Sequence, residues 1–252
     1  TSRAIFEINT MGTVNLLEAV KESSWVGKQI RFVFCASDKA YGYAGNVKYT
    51  EDMPLRAAAI YDASKAAADL IARTYAVCGY APALTVVRPC NIIAPGDMNL
   101  GRVLNRLVLP CMRGKRPNLY RANNVREYIW VEDAVDAIYE LDEAMRERTL
   151  PQNGEAYNIS TGQAKTLKET VSEVLRHFPN LSPEIEWEPA PKISESVEIP
   201  YQALSTEKIE QHINWKGRVD FAEAVELLVK WWRVNWDTLP AALKTVEIEG
   251  WH

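Results

Sequence analysis

Three dissimilar proton carriers follow one another in Ser37-Asp38-Lys39, at the end of the apolar run RFVFCA at 31–36. A hydroxyl, a carboxylate and an amine in succession are groups that could give or take protons in general acid–base chemistry. Tyr61 and Lys65, four apart in YDASK, stand one turn apart on one helix face. An ammonium there stabilises the phenolate and draws the tyrosine down from about 10, toward general-base work, with Ser37 holding the hydroxyl whose proton is taken. Each group also has an ordinary explanation: a solvated Tyr–Lys pair on the helix, and an exposed turn ion pair for Asp38 and Lys39.

The surrounding periodicities place these residues on definite elements. The segment INTMGTVNLLEAVK at 8–21 repeats apolar residues at helical spacing and opens on Asn9 as a cap. Residues 31–36 read as a short buried strand, 57–75 as an alanine-rich helix, and ALTVV at 83–87 as a second buried strand running into Arg88-Pro89-Cys90-Asn91. Helices follow at 100–113, 132–145, 167–178, 206–212 and 221–232, with extended pieces at 126–131 and 156–159. Alternating helices and short buried strands predict an α/β architecture, a parallel sheet covered on both faces. In such sheets ligands bind beyond the carboxyl ends of the strands, where both FCASDKAYG at 34–42 and VRPCN at 87–91 lie. Longer, proline-richer connections in the second half suggest a substrate-side lobe.

The 252 residues, 47% hydrophobic and 25% charged, suffice for one large or two small domains. A net charge of -4 gives no basic field for nucleic acid, and no apolar run reaches the length of a membrane span, so a cytoplasmic protein is expected. Cys35, Cys78, Cys90 and Cys111 stand singly in apolar surroundings and predict buried thiols. His177, His212 and His252 match no metal-ligand spacing, so no metal is expected.

Seven blocks in order carry a resemblance: NTMGTVNLLEA at 9–19, FCASDKAYG at 34–42, YTEDMPLRAAAIYDASK at 49–65, VVRPCNIIAPGD at 86–97, VREYIWVEDAVDAI at 125–138, EAYNIS at 155–160 and LSTEKIEQHINWKGRVDFAEAVELLVKWW at 204–232. Together they resemble the extended short-chain dehydrogenase/reductases acting on nucleotide sugars, the 4,6-dehydratase/epimerase family. The Ser-Asp-Lys triplet is most similar to dehydratases such as CDP-glucose 4,6-dehydratase and some enzymes acting on UDP-N-acetylhexosamines. The resemblance implies NAD as cofactor and a nucleotide-diphosphate sugar as substrate. Tyr61 would take the hydroxyl proton as hydride leaves carbon 4, Lys65 would bind the nicotinamide ribose, and Ser37 would orient the sugar beside the cofactor. Asp38 would protonate the carbon 6 hydroxyl and Lys39 remove the carbon 5 proton, so that water is lost across carbons 5 and 6 before re-reduction at carbon 6. As that base Lys39 must be neutral, its pKa brought well below the reference of about 10.4 by burial or a neighbouring cation, and Lys65 would supply part of that shift. Asn91 and Arg126 would contact the diphosphate, and loops near Leu119-Tyr120 and Tyr201 the nucleotide. Taken alone, Asn91 reads equally as a turn cap and Arg126 as a solvated strand residue. A homodimer pairing the helices at 9–21 and 61–75 is also implied.

No GxxGxxG or GxGxxG turn occurs in the sequence, and Gly42 and Gly45 follow the wrong element to form one. The expectation is a Rossmann-like, doubly wound sheet represented in part: 1–97 and about 126–162 on the cofactor side, about 98–125 and 163–252 as the substrate lobe, with the amino-terminal cofactor segment missing from this chain, carried by another, or lost. Three functions stay open: a dehydratase, a 4-epimerase or related oxidoreductase, and a non-catalytic nucleotide-sugar-binding or assembly protein.

Overall fold

The computed structural model describes residues 1–22, 30–81, 83–117, 119–120, 122–151, 153–181, 187–188 and 198–245. The chain opens with α1 (Ser2–Phe6), which passes through a wider π-type turn at Glu7–Met11 into α2 (Gly12–Glu22). The helix is capped by Thr1, whose hydroxyl accepts the Ala4 N–H at 3.4 Å. Asn9 therefore does not cap it as the sequence suggested. It lies inside the helix, and its amide donates to Ser64 Oγ at 2.9 Å, a tertiary bond between helices that local spacing does not reveal.

There follow β1 (Arg31–Cys35), a single tight turn over Asp38–Tyr41, α3 (Ile60–Val77), β2 (Ala83–Pro89), β3 (Asn91–Ile93) and α4 (Val103–Met112). Short strands β4 (Leu119–Tyr120), β5 (Val125–Arg126) and β6 (Tyr128–Trp130) lead into α5 (Val131–Arg146), then β7 (Ala156–Ile159), β8 (Lys165–Thr166) and α6 (Leu167–Arg176). The remainder is β9 (Trp187–Glu188), α7 (Glu207–Ile213), α8 (Phe221–Asn235) and α9 (Ala241–Thr245). No helix among the described residues is long and apolar enough to cross a membrane.

The main sheet has the order β1-β2-β7, all parallel, with Val33 opposite Thr85 and Val86 opposite Ala156. Every residue of β2 is buried, as expected of a central parallel strand covered by helices, and α3 and α5 both pack on it. A second parallel pair, β3 with β6, continues from β2 and carries the chain toward α4, α6 and α8, whose apolar faces form a separate cluster around Leu107, Val171, Leu228 and Trp232. Local caps agree with this plan. Thr166 and Glu169 form a reciprocal capping box on α6, and Asp220 accepts the Glu223 N–H at 2.9 Å on α8.

The polar interior under the sheet's carboxyl edge is extensive. Arg88 on β2 is fully buried and grips Asp69 of α3 with two bonds of 2.8 and 3.0 Å, while its third arm reaches the Tyr41 hydroxyl at 2.8 Å. Tyr41 donates in turn to Asn158 Oδ1 at 2.8 Å, and the Asn158 amide group bonds the carbonyls of Tyr49 and Ser205. These bonds fix the back of the tight turn at Asp38–Tyr41. Gly42 closes it with a φ of 63°, and a Cβ there would collide with the Arg56 carbonyl.

Two of the four thiols depart from expectation. Cys90 and Cys111 are buried, but Cys35 and Cys78 are exposed, one at the end of β1 and one at the carboxyl cap of α3, where each element runs out of covering structure.

Candidate active site

The carboxyl ends of β1, β2 and β7 lie side by side, tied by Ala36 N to Val87 O at 2.8 Å and Cys90 N to Ile159 O at 3.0 Å. From the first of these ends the chain enters the turn carrying the triplet. Ser37 is extended (φ -168°) and caps the turn, its hydroxyl accepting the Lys39 N–H at 3.2 Å and facing Asp38 Oδ1 at 3.2 Å. Asp38 is only 3% exposed and Lys39 is half-buried, so neither belongs to a solvated turn. Nor do they pair with each other. The Lys39 amine donates to Gln202 Oε1 at 2.8 Å, and Asp38 forms no ion pair among the described residues.

Burial pushes the Asp38 carboxyl up, against the attraction of Lys39 and Arg126, so it keeps its proton to higher pH than an ordinary aspartate. Burial likewise brings the Lys39 amine down, reinforced by the Arg126 guanidinium and opposed by Asp38, Asp62 and Glu198. The cation that acts on Lys39 is thus Arg126, not Lys65 as the sequence suggested.

Tyr61 and Lys65 occupy the first turns of α3 as expected, but the electrostatics differ from the expectation. The Tyr61 phenol is raised, first by burial and then by the charge of Asp38. Lys65 does not counter this because its amine donates to the Cys35 carbonyl at 2.6 Å, at the end of β1, and lies over the Phe34 ring. Spacing placed the two groups on one face correctly; it did not show which oxygen the amine would choose.

Lys39, Asn91 and Arg126 meet along a cleft of about 280 Å³ floored by Ile93, Leu104, Tyr128 and Leu228. The Asn91 amide donates to the Glu127 carbonyl at 3.0 Å. Arg126 is not a solvated strand residue: its side chain is 16% exposed and contacts Glu198 at 3.3 Å. Of the residues singled out from the sequence, Lys39, Asn91 and Arg126 line the cleft, Ser37 and Asp38 precede Lys39 on the same turn, and the Asp38 charge reaches Tyr61. Lys65 meets the same strand end, at the Cys35 carbonyl just before the turn. The Tyr120 side chain, like His252, lies outside the described residues.

Sequence reading passed over several members of the site. Asp62, next to Tyr61, is buried, and its carboxyl is pushed up to about 6 by burial, with Lys39 pulling down and Asp38 pushing further up. It was visible inside YDASK but has no periodic signal of its own. Glu127 is 1% exposed and accepts from Ser160 Oγ at 2.5 Å and the Leu204 N–H at 2.9 Å, tying three segments behind the cleft. Gln202 and Glu198 come from irregular backbone far along the chain, where composition gives no cue.

Residues 1–228 match the family model described as GDP-mannose 4,6 dehydratase. The Haloferax volcanii low-salt glycan biosynthesis protein Agl12 is 32% identical over 71% of this chain and 54% of its own length. A dTDP-glucose 4,6-dehydratase of Streptomyces griseus is 28% identical over 93% of this chain and 68% of its own. Among solved structures, a dTDP-glucose 4,6-dehydratase of Bacillus anthracis in complex with NAD superposes with a TM-score of 0.80 at 27% identity, covering 94% of this chain and 71% of that one. The chain therefore spans between about half and about two thirds of the length of the curated relatives it matches. A sheet covered on both faces, with an acid, an amine and a phenol at its carboxyl edge, accords with that match, and the chain belongs to the GDP-mannose 4,6 dehydratase family, within the nucleotide-sugar dehydratases and epimerases of the extended short-chain dehydrogenase/reductase type.

Proposed function

We propose that this chain carries the catalytic and sugar-binding groups of an NAD-dependent nucleotide-sugar 4,6-dehydratase. The observation that carries the reading is the buried Asp38 carboxyl, which keeps its proton to higher pH than an ordinary aspartate, beside a Lys39 amine that burial has made less basic, both at the strand end where the cleft opens. An epimerase needs neither group; a dehydratase needs both.

Tyr61 removes the carbon 4 hydroxyl proton, and Ser37 orients the sugar. Once carbon 4 is a ketone the carbon 5 hydrogen is acidic, and Lys39, as the neutral amine, takes it. Asp38 gives its proton to the carbon 6 hydroxyl, which leaves as water; carbon 6 is then reduced and carbon 5 reprotonated to give the 4-keto-6-deoxy sugar. Bound NAD supplies the hydride acceptor for the first step and the donor for the last. This chain's residues suit its nicotinamide ribose: Lys65 has three N–H donors, one of which meets the Cys35 carbonyl, and Tyr61 stands a turn away.

Arg126 and Asn91 receive the diphosphate, the guanidinium offering forked donors to phosphate oxygens, and Tyr120 contacts the nucleotide. Residues 1–97 with about 126–162 form the cofactor side, and about 98–125 with 163–252 the substrate lobe. The protein pairs as a homodimer through the helix spanning α1 and α2 together with α3. These pack on each other through Asn9–Ser64 and leave Ile8, Met11, Leu16 and Leu70 on the outside.

Product analysis tests the activity. The protein, supplied with NAD and either CDP-glucose or UDP-N-acetylglucosamine or dTDP-glucose, should release a 4-keto-6-deoxy sugar nucleotide. Formation of a 4-epimer alone would overturn the reading.

A further inference from the structure

We propose that Gln202 is a positioning residue for Lys39, fixing the amine at the cleft wall through a neutral acceptor; the inference rests on the dehydratase reading, in which Lys39 is the base. Gln202 is 1% exposed, and its Oε1 accepts from Lys39 Nζ at 2.8 Å. The Lys39 amine has an N–H to give whether charged or neutral, and it gives one to the amide oxygen.

The consequence appears on the other arm. Gln202 Nε2 is buried and has no acceptor among the described residues. A buried donor left unmet is a cost that an apolar side chain of the same length would not carry, so what the glutamine supplies here is the bond its oxygen makes. The backbone on either side is held in place: Gln202 N–H bonds the Val125 carbonyl at 3.1 Å, Ala203 O accepts from Tyr49 N–H at 2.8 Å, and Leu204 N–H reaches the Glu127 carboxylate. Gln202 thus hangs from the strand that presents Arg126 to the same cleft.

The charged groups facing Lys39 are Asp38 on its own turn, Asp62 on α3, Arg126 on β5 and Glu198 on the segment leading to Gln202. Three of these are carboxylates that favour the ammonium. A fourth carboxylate at 202 would hold the amine charged, whereas the carboxamide orients one N–H and leaves the lone pair for the carbon 5 proton.

Two substitutions test this in the NAD-supplied protein. Gln202→Glu keeps the shape and adds charge; the limb of kcat that rises as Lys39 loses its proton should move up by about one pH unit, while single-turnover formation of reduced nicotinamide is unchanged. Gln202→Met removes both the acceptor and the unmet donor; kcat should fall at least ~10-fold with KM within ~2-fold and a melting midpoint equal to or above the parent's. Superimposable pH profiles for Gln202→Glu, or a lowered melting midpoint with unchanged kcat for Gln202→Met, would overturn the proposal. NMR titration of isotope-labelled lysine reads the Lys39 amine without turnover. An upward shift in Gln202→Glu supports the positioning role even if the parent makes no dehydrated product, which would sink the dehydratase reading alone; an unmoved amine overturns the positioning role.

Discussion

The Ser37 hydroxyl stands 3.2 Å from the Asp38 carboxyl oxygen, and this neutral partner, not a cation, is what the buried acid faces directly. Burial raises the carboxyl, so it keeps its proton to higher pH than an ordinary aspartate, at the place where a leaving hydroxyl would need one. Asp38→Asn keeps the shape and removes the transferable proton. Water loss should slow by ~10²–10⁴-fold, while reduced nicotinamide still forms in a single turnover and accumulates. Transient absorbance and product mass read the two steps separately, and an Asp38→Asn enzyme that dehydrates at the parent rate would remove Asp38 from the acid role.

Asp62 gives a pH signature. Its folded carboxyl lies at about 6 against an ordinary 3.8, so the folded state binds the proton more tightly than the unfolded chain. This group's contribution to stability is therefore fullest below the lower value and declines as pH rises through that window. Asp62→Asn removes the decline. Relative to the parent, the variant should gain on the order of 1–2 kcal/mol at pH 7, after discounting for the part of the carboxyl still screened by water, and close to nothing at pH 4. The same change takes a carboxylate away from Lys39, so the rising limb of kcat should shift to lower pH. Denaturant melts at the two pH values and a pH–rate profile check both.

Arg88 and Asp69 form an ion pair with both side chains fully buried. Removing one partner strands the other charge, so Arg88→Met should cost about 3–5 kcal/mol in urea unfolding, and combining it with Asp69→Leu should recover most of that loss. Since Arg88 also bonds Tyr41 of the tight turn, the single variant should lower kcat beyond what the unfolded fraction explains.

The fold was legible where burial imposes a pattern: ALTVV before Arg88 reads as a covered strand and the alanine-rich run through Tyr61 and Lys65 as a helix, and both stand where expected. The site was legible where its chemistry is local, in Ser37-Asp38-Lys39 and YDASK. What sequence did not reveal came from partners brought in over long distances. Gln202 captures Lys39 from 163 residues away, and Glu198 meets Arg126 from 72. Both lie on irregular backbone with no periodicity to read. The expected lowering of Tyr61 failed for a related reason: Lys65 shares its helix face, but the Cys35 carbonyl on another element takes its amine, while Asp38 pushes the phenol upward.

The central claim, that these residues remove water and do not merely invert carbon 4, is tested most directly with a nucleotide-hexose deuterated at carbon 4, incubated with the NAD-supplied protein in ordinary water. The predicted product is a 4-keto-6-deoxy sugar nucleotide carrying the deuterium at carbon 6. A product that retains the label at carbon 4 and has lost no water would contradict the account.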